Sequence, residues 1–196
     1  MTHPIQQFFA KPDAVDIEGL RTYLDGLAIP ARLEAVRQLG KKPQARLFEA
    51  VQGFKPITLE DFVPKSVPDM TEVIHDGRNT LLAFNYFQKR FARPVGKTDE
   101  LWGYNEQTMK WAVGPGYFIT RVSGPGEVVV DYYQEPPGKV ESWPAIKPNG
   151  RLLSRFVYYK MQDFMRGVSD GVTIGRAARH GKNMDAWFVL CRDRAS

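Results

Sequence analysis

Tyr117–Gln134 reads YFITRVSGPGEVVVDYYQ, two runs of β-branched and aromatic residues divided by Gly124-Pro125-Gly126. Runs of that kind around a short Gly-Pro-Gly break predict a β-hairpin with a three-residue turn. Such a turn sets Tyr117 opposite Tyr133, Ile119 opposite Asp131 and Arg121 opposite Val129 on one face, with Arg121 and Asp131 diagonal and near enough to pair. The other face, Phe118, Val122, Val128, Val130 and Tyr132, is the more apolar, and alternation alone does not decide which face looks inward.

The same punctuation recurs on both sides. Downstream, Met161–Ser169 and Val172–Arg179 flank Asp170-Gly171, a dipeptide suited to a two-residue hairpin turn, and Met184–Arg192 follows a turn at His180–Asn183. Upstream, Trp102, Tyr104, Trp111, Tyr117 and Phe118 sit in short segments divided by Gly-Pro-Gly elements. Leu152–Tyr159 suits a helix by spacing and a strand by composition, the strand being favoured from Phe156 onward. Glu135–Gly150 carries Pro136, Pro137, Pro144 and Pro148 and is too broken for regular structure; it has the length of a lid, and equally that of a plain connection. About six or seven antiparallel strands result, and a meander of that length closes on itself because closure removes unpaired edges.

The succession EVVVDYYQ (Glu127–Gln134), MQDFMRGVSDGVTIGRA (Met161–Ala177) and AWFVLCR (Ala186–Arg192) resembles the end of a calycin-type barrel, the lipocalin and fatty-acid-binding superfamily. The resemblance covers roughly the C-terminal half, lacks the Gly-x-Trp opening motif of lipocalins, and has no counterpart for the N-terminal half. It implies a lipocalin-like barrel that binds a small apolar or amphipathic molecule, with a buried Arg or Tyr meeting its polar end.

Strand parity gives candidate contacts independently of that resemblance. A two-residue Asp170-Gly171 turn sets Met165 opposite Arg176 and Gly167 opposite Ile174, with Asp163 diagonal to Arg176; in the last strand Phe188, Leu190 and Arg192 share a face. If these faces line the barrel, Arg176, Arg192 and Arg121 lie among apolar side chains, and a buried cation needs a partner. Asp131 or Asp163 would supply a structural ion pair; the carboxylate or phosphate of a ligand would suit the guanidinium fork equally. The candidate ligand-binding residues are therefore Arg121, Asp131, Tyr133, Arg176, Arg192 and Phe188, and the ligand is expected to be anionic.

The first half reads as helices. Asp13 or Asp16 caps a helix with Ile17, Leu20, Leu24 and Leu27 at helical spacing; Pro30 ends it or opens the next, which carries Leu33, Val36 and Leu39 and stops at Gly40; Pro43 opens a third with Leu47, Phe48 and Val51. Thr58 caps a turn at Leu59–Val63, and Pro64–Asp69 is an extended linker. A further helix is expected over Asn79–Arg93, where Leu81, Phe84, Gln88 and Phe91 fall on one stripe ahead of Pro94. The fold class is thus α+β: a single domain, mostly helical over residues 1–98, packed on an antiparallel barrel over 99–196.

Composition excludes several functions. No apolar run has the roughly 20 residues of a membrane span, and MTHPIQQFFAKPD shows no secretory pattern, so a cytoplasmic protein is expected. The single cysteine, Cys191, rules out an internal disulfide and a cysteine-clustered metal site, and it reads as a buried small hydrophobe. His3, His75 and His180 are isolated from one another and read as surface residues, and no phosphate loop or dinucleotide fingerprint exists, so neither metal nor organic cofactor is expected. The net charge of +5 and the cluster Arg32, Arg37, Lys41, Lys42 and Arg46, mixed with Glu34 and Glu49, do not favour nucleic acid. Two further functions stay open: an enzyme without cofactor using Asp131 or Asp163 with a tyrosine, and a module whose basic helices dock an acidic partner.

Overall fold

The structure, a computed structural model, describes residues 3–80, 85–107, 114–150 and 157–195. Three helices, α1 (Ile17–Asp25), α2 (Ile29–Arg37) and α3 (Lys41–Ala50), precede β1 (Val73–Asn79), β2 (Tyr86–Ala92), β3 (Leu101–Glu106), β4 (Tyr117–Gly124), β5 (Glu127–Asp131), β6 (Met161–Ser169), β7 (Val172–Arg179) and β8 (Lys182–Ala195). The eight strands pair antiparallel in sequence order, and β8 returns to β1, closing the barrel. The fold is α+β, with N-terminal helices packed on a closed barrel.

The helices follow local rules. The Asp16 carboxylate accepts from Gly19 N at 2.9 Å and starts α1, which buries Leu20 and Leu24; Pro30 opens α2. Their apolar faces meet the outer side of β6, β7 and β8, where Val168, Val172, Ile174, Trp187, Val189 and Cys191 project outward. That explains why AWFVLC is apolar without alternation: Trp187, Val189 and Cys191 pack under helices, while Phe188 and Leu190 fill the barrel. The basic cluster ties this layer together. Arg32 donates to Leu24 O and Asp170 O at 2.9 and 2.7 Å, Arg46 to Phe9 O at 3.0 Å, and Arg37 pairs with Asp76 at 3.2 Å.

One end of the barrel is plugged. Thr58 and Asp61 form a capping box around a 3-10 turn at Leu59–Asp61, and Ile57, Leu59, Phe62, Val63 and Val67 pack against Val73, Phe91, Leu101 and Val128. His75, on β1, reaches Phe62 O at 2.9 Å, and Arg93 donates to Val63 O at 2.7 Å. The histidine is 1% exposed, so the surface position expected for it is corrected: inside the barrel it stacks on Phe62 and meets Phe91 edge-to-face.

Three further expectations are corrected. The helix over Asn79–Arg93 is instead the end of β1 and all of β2; Leu81 and Phe84 lie outside the described residues. Pairing to β1 and β3 on both edges overrides the helical stripe, and the period becomes two, with Phe87, Lys89 and Phe91 inward and Gln88 and Arg90 outward. The barrel consequently begins at Val73, ahead of residue 99, and has eight strands where six or seven were expected. The segment taken as a strand from Phe156 is a turn over 158–160, where Lys160 has φ of 52°; Leu152–Phe156, like Trp111, is outside the described residues.

The third correction is of register. Asp170-Gly171 does make a two-residue turn, with Ser169 opposite Val172, but a bulge between Gly167 and Ser169 shifts the ladder, so Met165 faces Gly175 and Arg176 faces Phe164. One residue of slip reverses every side chain beyond it, and Arg176 points outward. The first hairpin turns on two residues, Pro125 and Gly126, rather than on the three expected, with Gly124 opposite Glu127, and a bulge between Val122 and Gly124 restores the expected register, Ile119 to Asp131 and Arg121 to Val129; it buries the Phe118, Val128, Val130, Tyr132 face.

Glycines inside the barrel leave room for aromatic rings. Gly103 lies opposite Phe118 and Gly175 opposite Phe188, and a Cβ on either would fall 2.3 Å from that ring. At Gly103 the same Cβ would also stand 2.4 Å from Arg90 O, which is backbone and cannot swing aside. Gly103→Ala is therefore expected to cost about 2–3 kcal/mol and Gly175→Ala about 1 kcal/mol less, since Met165 and Phe188 can shift. Urea unfolding of both variants checks the order; equal costs would mean that the Arg90 contact relaxes freely.

Candidate functional site

At the end away from the plug the barrel holds a cavity of about 290 Å³. Its walls are mostly apolar, Phe87, Met161, Ala177, Ala186 and Phe188 among them; of its polar groups Asn105, Tyr132 and Asp163 converge on Lys89, while Gln107 and Arg179 lie elsewhere on the wall. Parity places them. Lys89 sits mid-β2 between the inward Phe87 and Phe91; Asn105 of β3 is its direct partner in the ladder; Tyr132 follows β5; Asp163 of β6 pairs with Val130.

Lys89 is 2% exposed and Asp163 4%. The Lys89 ammonium donates to Asp163 Oδ2 at 2.9 Å, to Asn105 Oδ1 at 3.1 Å and to the Tyr132 hydroxyl, which uses all three of its hydrogens. Tyr132 OH lies 3.3 Å from Asp163 Oδ2 and accepts from Asn105 Nδ2 at 2.9 Å, while that amide also reaches Gly116 O at 3.1 Å. The rings of Phe118, Tyr132 and Phe188 have centroids 5.0 Å from Nζ, and Phe87 lies at 5.7 Å, a cation held among π faces. The glycines opposite Phe118 and Phe188 make this ring arrangement sterically allowed.

Burial dominates the electrostatics. It lowers the Lys89 ammonium from its usual range by stripping water from the charge, and Asp163 opposes that shift by attraction and by its hydrogen bond. Burial, with the Asp163 charge adding to it, raises the Tyr132 phenol well above its ordinary value, so it stays protonated at neutral pH and can donate. A second tyrosine continues the wall. Tyr158 stacks on Tyr132 with centroids 5.4 Å apart, and Gln107 Nε2 donates to its hydroxyl at 2.6 Å.

The residues singled out from sequence are dispersed. Phe188 lines the cavity. Arg192 faces inward but at the plugged end, where it donates to Asp61 O at 2.8 Å and approaches Asp170 at 3.5 Å. Arg121 is outside, paired with Glu100 at 2.9 Å; Asp131 caps Tyr133 N at 2.9 Å on the same outer surface, and Tyr133 is exposed. Arg176 lies over the outer face of Trp187 and 3.4 Å from Glu49. Glu135–Gly150 covers the outer face of β3 and β4, where Trp143 packs on Tyr104 and Tyr117, and Asn149 donates to Tyr117 O at 2.8 Å; it does not cross the cavity.

Lys89, Asn105 and Tyr132 were missed as polar site residues. The available signal was a lysine flanked by Phe87 and Phe91 at spacing two, which a helical reading of the segment hides. Among the described residues, no group of three or more His, Cys, Asp or Glu side chains comes together as a metal site. No described helix is long and apolar enough to cross a membrane.

Comparison of the chain with family models, with curated proteins and with solved structures finds no significant match, so the candidate site rests on the barrel geometry itself.

Proposed function

We propose that the protein binds a small apolar or amphipathic molecule inside the barrel, as calycins do, with its apolar body against Phe87, Tyr158, Met161 and Phe188 and its polar end at Lys89, Asn105, Tyr132 and Asp163. The observation that carries this reading is a buried ion pair at the wall of a mainly apolar cavity of about 290 Å³. Two desolvated charges are costly, and well-packed apolar residues of similar size would serve a merely structural core as well or better. Asp163 already balances Lys89, so the ligand group that meets Lys89 is an uncharged hydrogen-bonding one; an anion there would have to displace Asp163 from the ammonium. Binding in the cytoplasm, without metal or organic cofactor, belongs to the same proposal.

Native mass spectrometry of the freshly purified protein tests it first, a retained small molecule released on denaturation being the expected result. A cavity-filling variant tests the location. Ala177 is on the wall, directly across the ladder from Asp163, and Ala177→Trp is expected to weaken binding of a fluorescent naphthyl probe by about tenfold or more. Unchanged probe affinity in a folded variant would put binding outside the barrel.

An enzymatic reading is favoured by one specific contact: Asp163 lies 3.3 Å from the Tyr132 hydroxyl, the carboxylate and phenol of an acid-base pair, both facing the cavity.

A further inference from the structure

We propose that Lys89 captures carbonyl compounds, its Nζ forming a reversible imine with an aldehyde or ketone held in the barrel cavity. The inference rests on the cavity-binding reading and deepens it by naming the ligand class and the bond formed.

The case is geometric. Lys89 is the one buried lysine among the described residues, and it faces the cavity. Lys41 and Lys65, by contrast, have exposed side chains paired with surface carboxylates. A lysine made nucleophilic in a protein needs desolvation and a neighbouring base, and both are present: apolar rings surround Nζ, and Asp163 Oδ2 stands 2.9 Å away. The lowered basicity of Lys89 agrees in direction.

The groups around Nζ balance the reaction. Lys89 passes one proton to Asp163 and the free amine attacks the carbonyl carbon, forming the C–N bond as the C=O π bond opens. The Tyr132 hydroxyl gives a proton to the new alkoxide and recovers one from the nitrogen, leaving a carbinolamine. Asp163 then returns its proton to the carbinolamine hydroxyl, which leaves as water as the C=N bond forms. Ammonium and carbonyl have become iminium and water, with Asp163 and Tyr132 restored. Charge is conserved at the site: the iminium takes the ammonium's place beside the Asp163 carboxylate and among the same rings, so no new charge is buried.

The test is reductive trapping in the intact wild-type protein with naphthaldehyde and sodium cyanoborohydride, followed by peptide mapping. The expected result is one adduct, on Lys89, formed about tenfold faster than on any exposed lysine and slowed by excess naphthylmethanol. The double variant Lys89→Met, Asp163→Asn, verified as folded by circular dichroism, should lose that adduct. Labelling confined to surface lysines overturns the imine. If naphthylmethanol nevertheless binds and Ala177→Trp weakens it, the cavity reading survives that failure; if naphthylmethanol does not bind either, both readings fall.

Discussion

Lys89→Met is expected to destabilise the protein by about 3–5 kcal/mol, because it leaves the Asp163 carboxylate buried without its cation. Asp163 is 4% exposed, and the charged partner it has in the barrel is Lys89 at 2.9 Å. Removing both charges should be far milder. The double variant Lys89→Met, Asp163→Asn keeps a hydrogen-bonding group beside Tyr132 and should recover most of the loss, since replacing a buried pair by neutral groups is often close to neutral in stability. Urea unfolding near neutral pH of the wild type, both single variants and the double variant gives the coupling directly. A single-variant cost below about 0.5 kcal/mol would mean that water or a rearranged side chain solvates Asp163, and the site would no longer qualify as a dry ion pair. A loss of about 4 kcal/mol matters against a total stability of about 5–15 kcal/mol, so a folded Lys89 variant for binding work is the double one.

Acid should weaken the plugged end through His75. Burial lowers its pKa from 6.5 to about 4; the hydrogen bond to Phe62 O opposes this, Arg192 adds to it, and Asp61 opposes it. Above the unfolded value both forms are neutral and the full stability is present. Between about 6.5 and 4 the unfolded chain takes up a proton that the folded chain refuses, so stability falls with falling pH at about 1.4 kcal/mol per unit, to a total of about 3 kcal/mol. Below the folded value this residue adds no further change. His75→Gln keeps a donor for the Phe62 carbonyl and does not titrate, so wild-type stability minus variant stability should drop by about 3 kcal/mol between neutral pH and about pH 4. Parallel pH profiles would show that His75 accepts its proton inside the barrel, with Nδ1, which has no hydrogen-bond partner there, finding one.

The site was only partly readable in the chain because its polar members are distant in sequence and individually ordinary. Lys89, Asn105, Tyr132 and Asp163 come from different strands or the residue just beyond one, and only closure brings them together. Asp163 and a tyrosine were visible as an acid-base option; Lys89 was concealed by a helical stripe that gave the right apolar residues the wrong period. A cation in an apolar strand is conspicuous in sequence, and that is the signal the arginines carry. A single bulge turns Arg176 outward, and Arg192, on the face it shares with Phe188 and Leu190, points inward but at the plugged end.

What the amino-acid sequence determined by itself was local. The Asp16-capped first helix, the Gly124-Pro125-Gly126 and Asp170-Gly171 turns and the register of the first hairpin follow from short-range sterics and hydrogen bonding, which act between residues a few positions apart, whereas closure needs β1 and β8 from opposite ends of the sheet. Tertiary structure alone decided which strand face is inside, that 86–92 is strand rather than helix, that AWFVLC has two buried faces, and that Lys89 meets Asp163 across 74 positions of chain. Those outcomes depend on burial and on partners supplied by remote segments, and a propensity worth a few tenths of a kcal/mol per residue yields to them once the barrel closes.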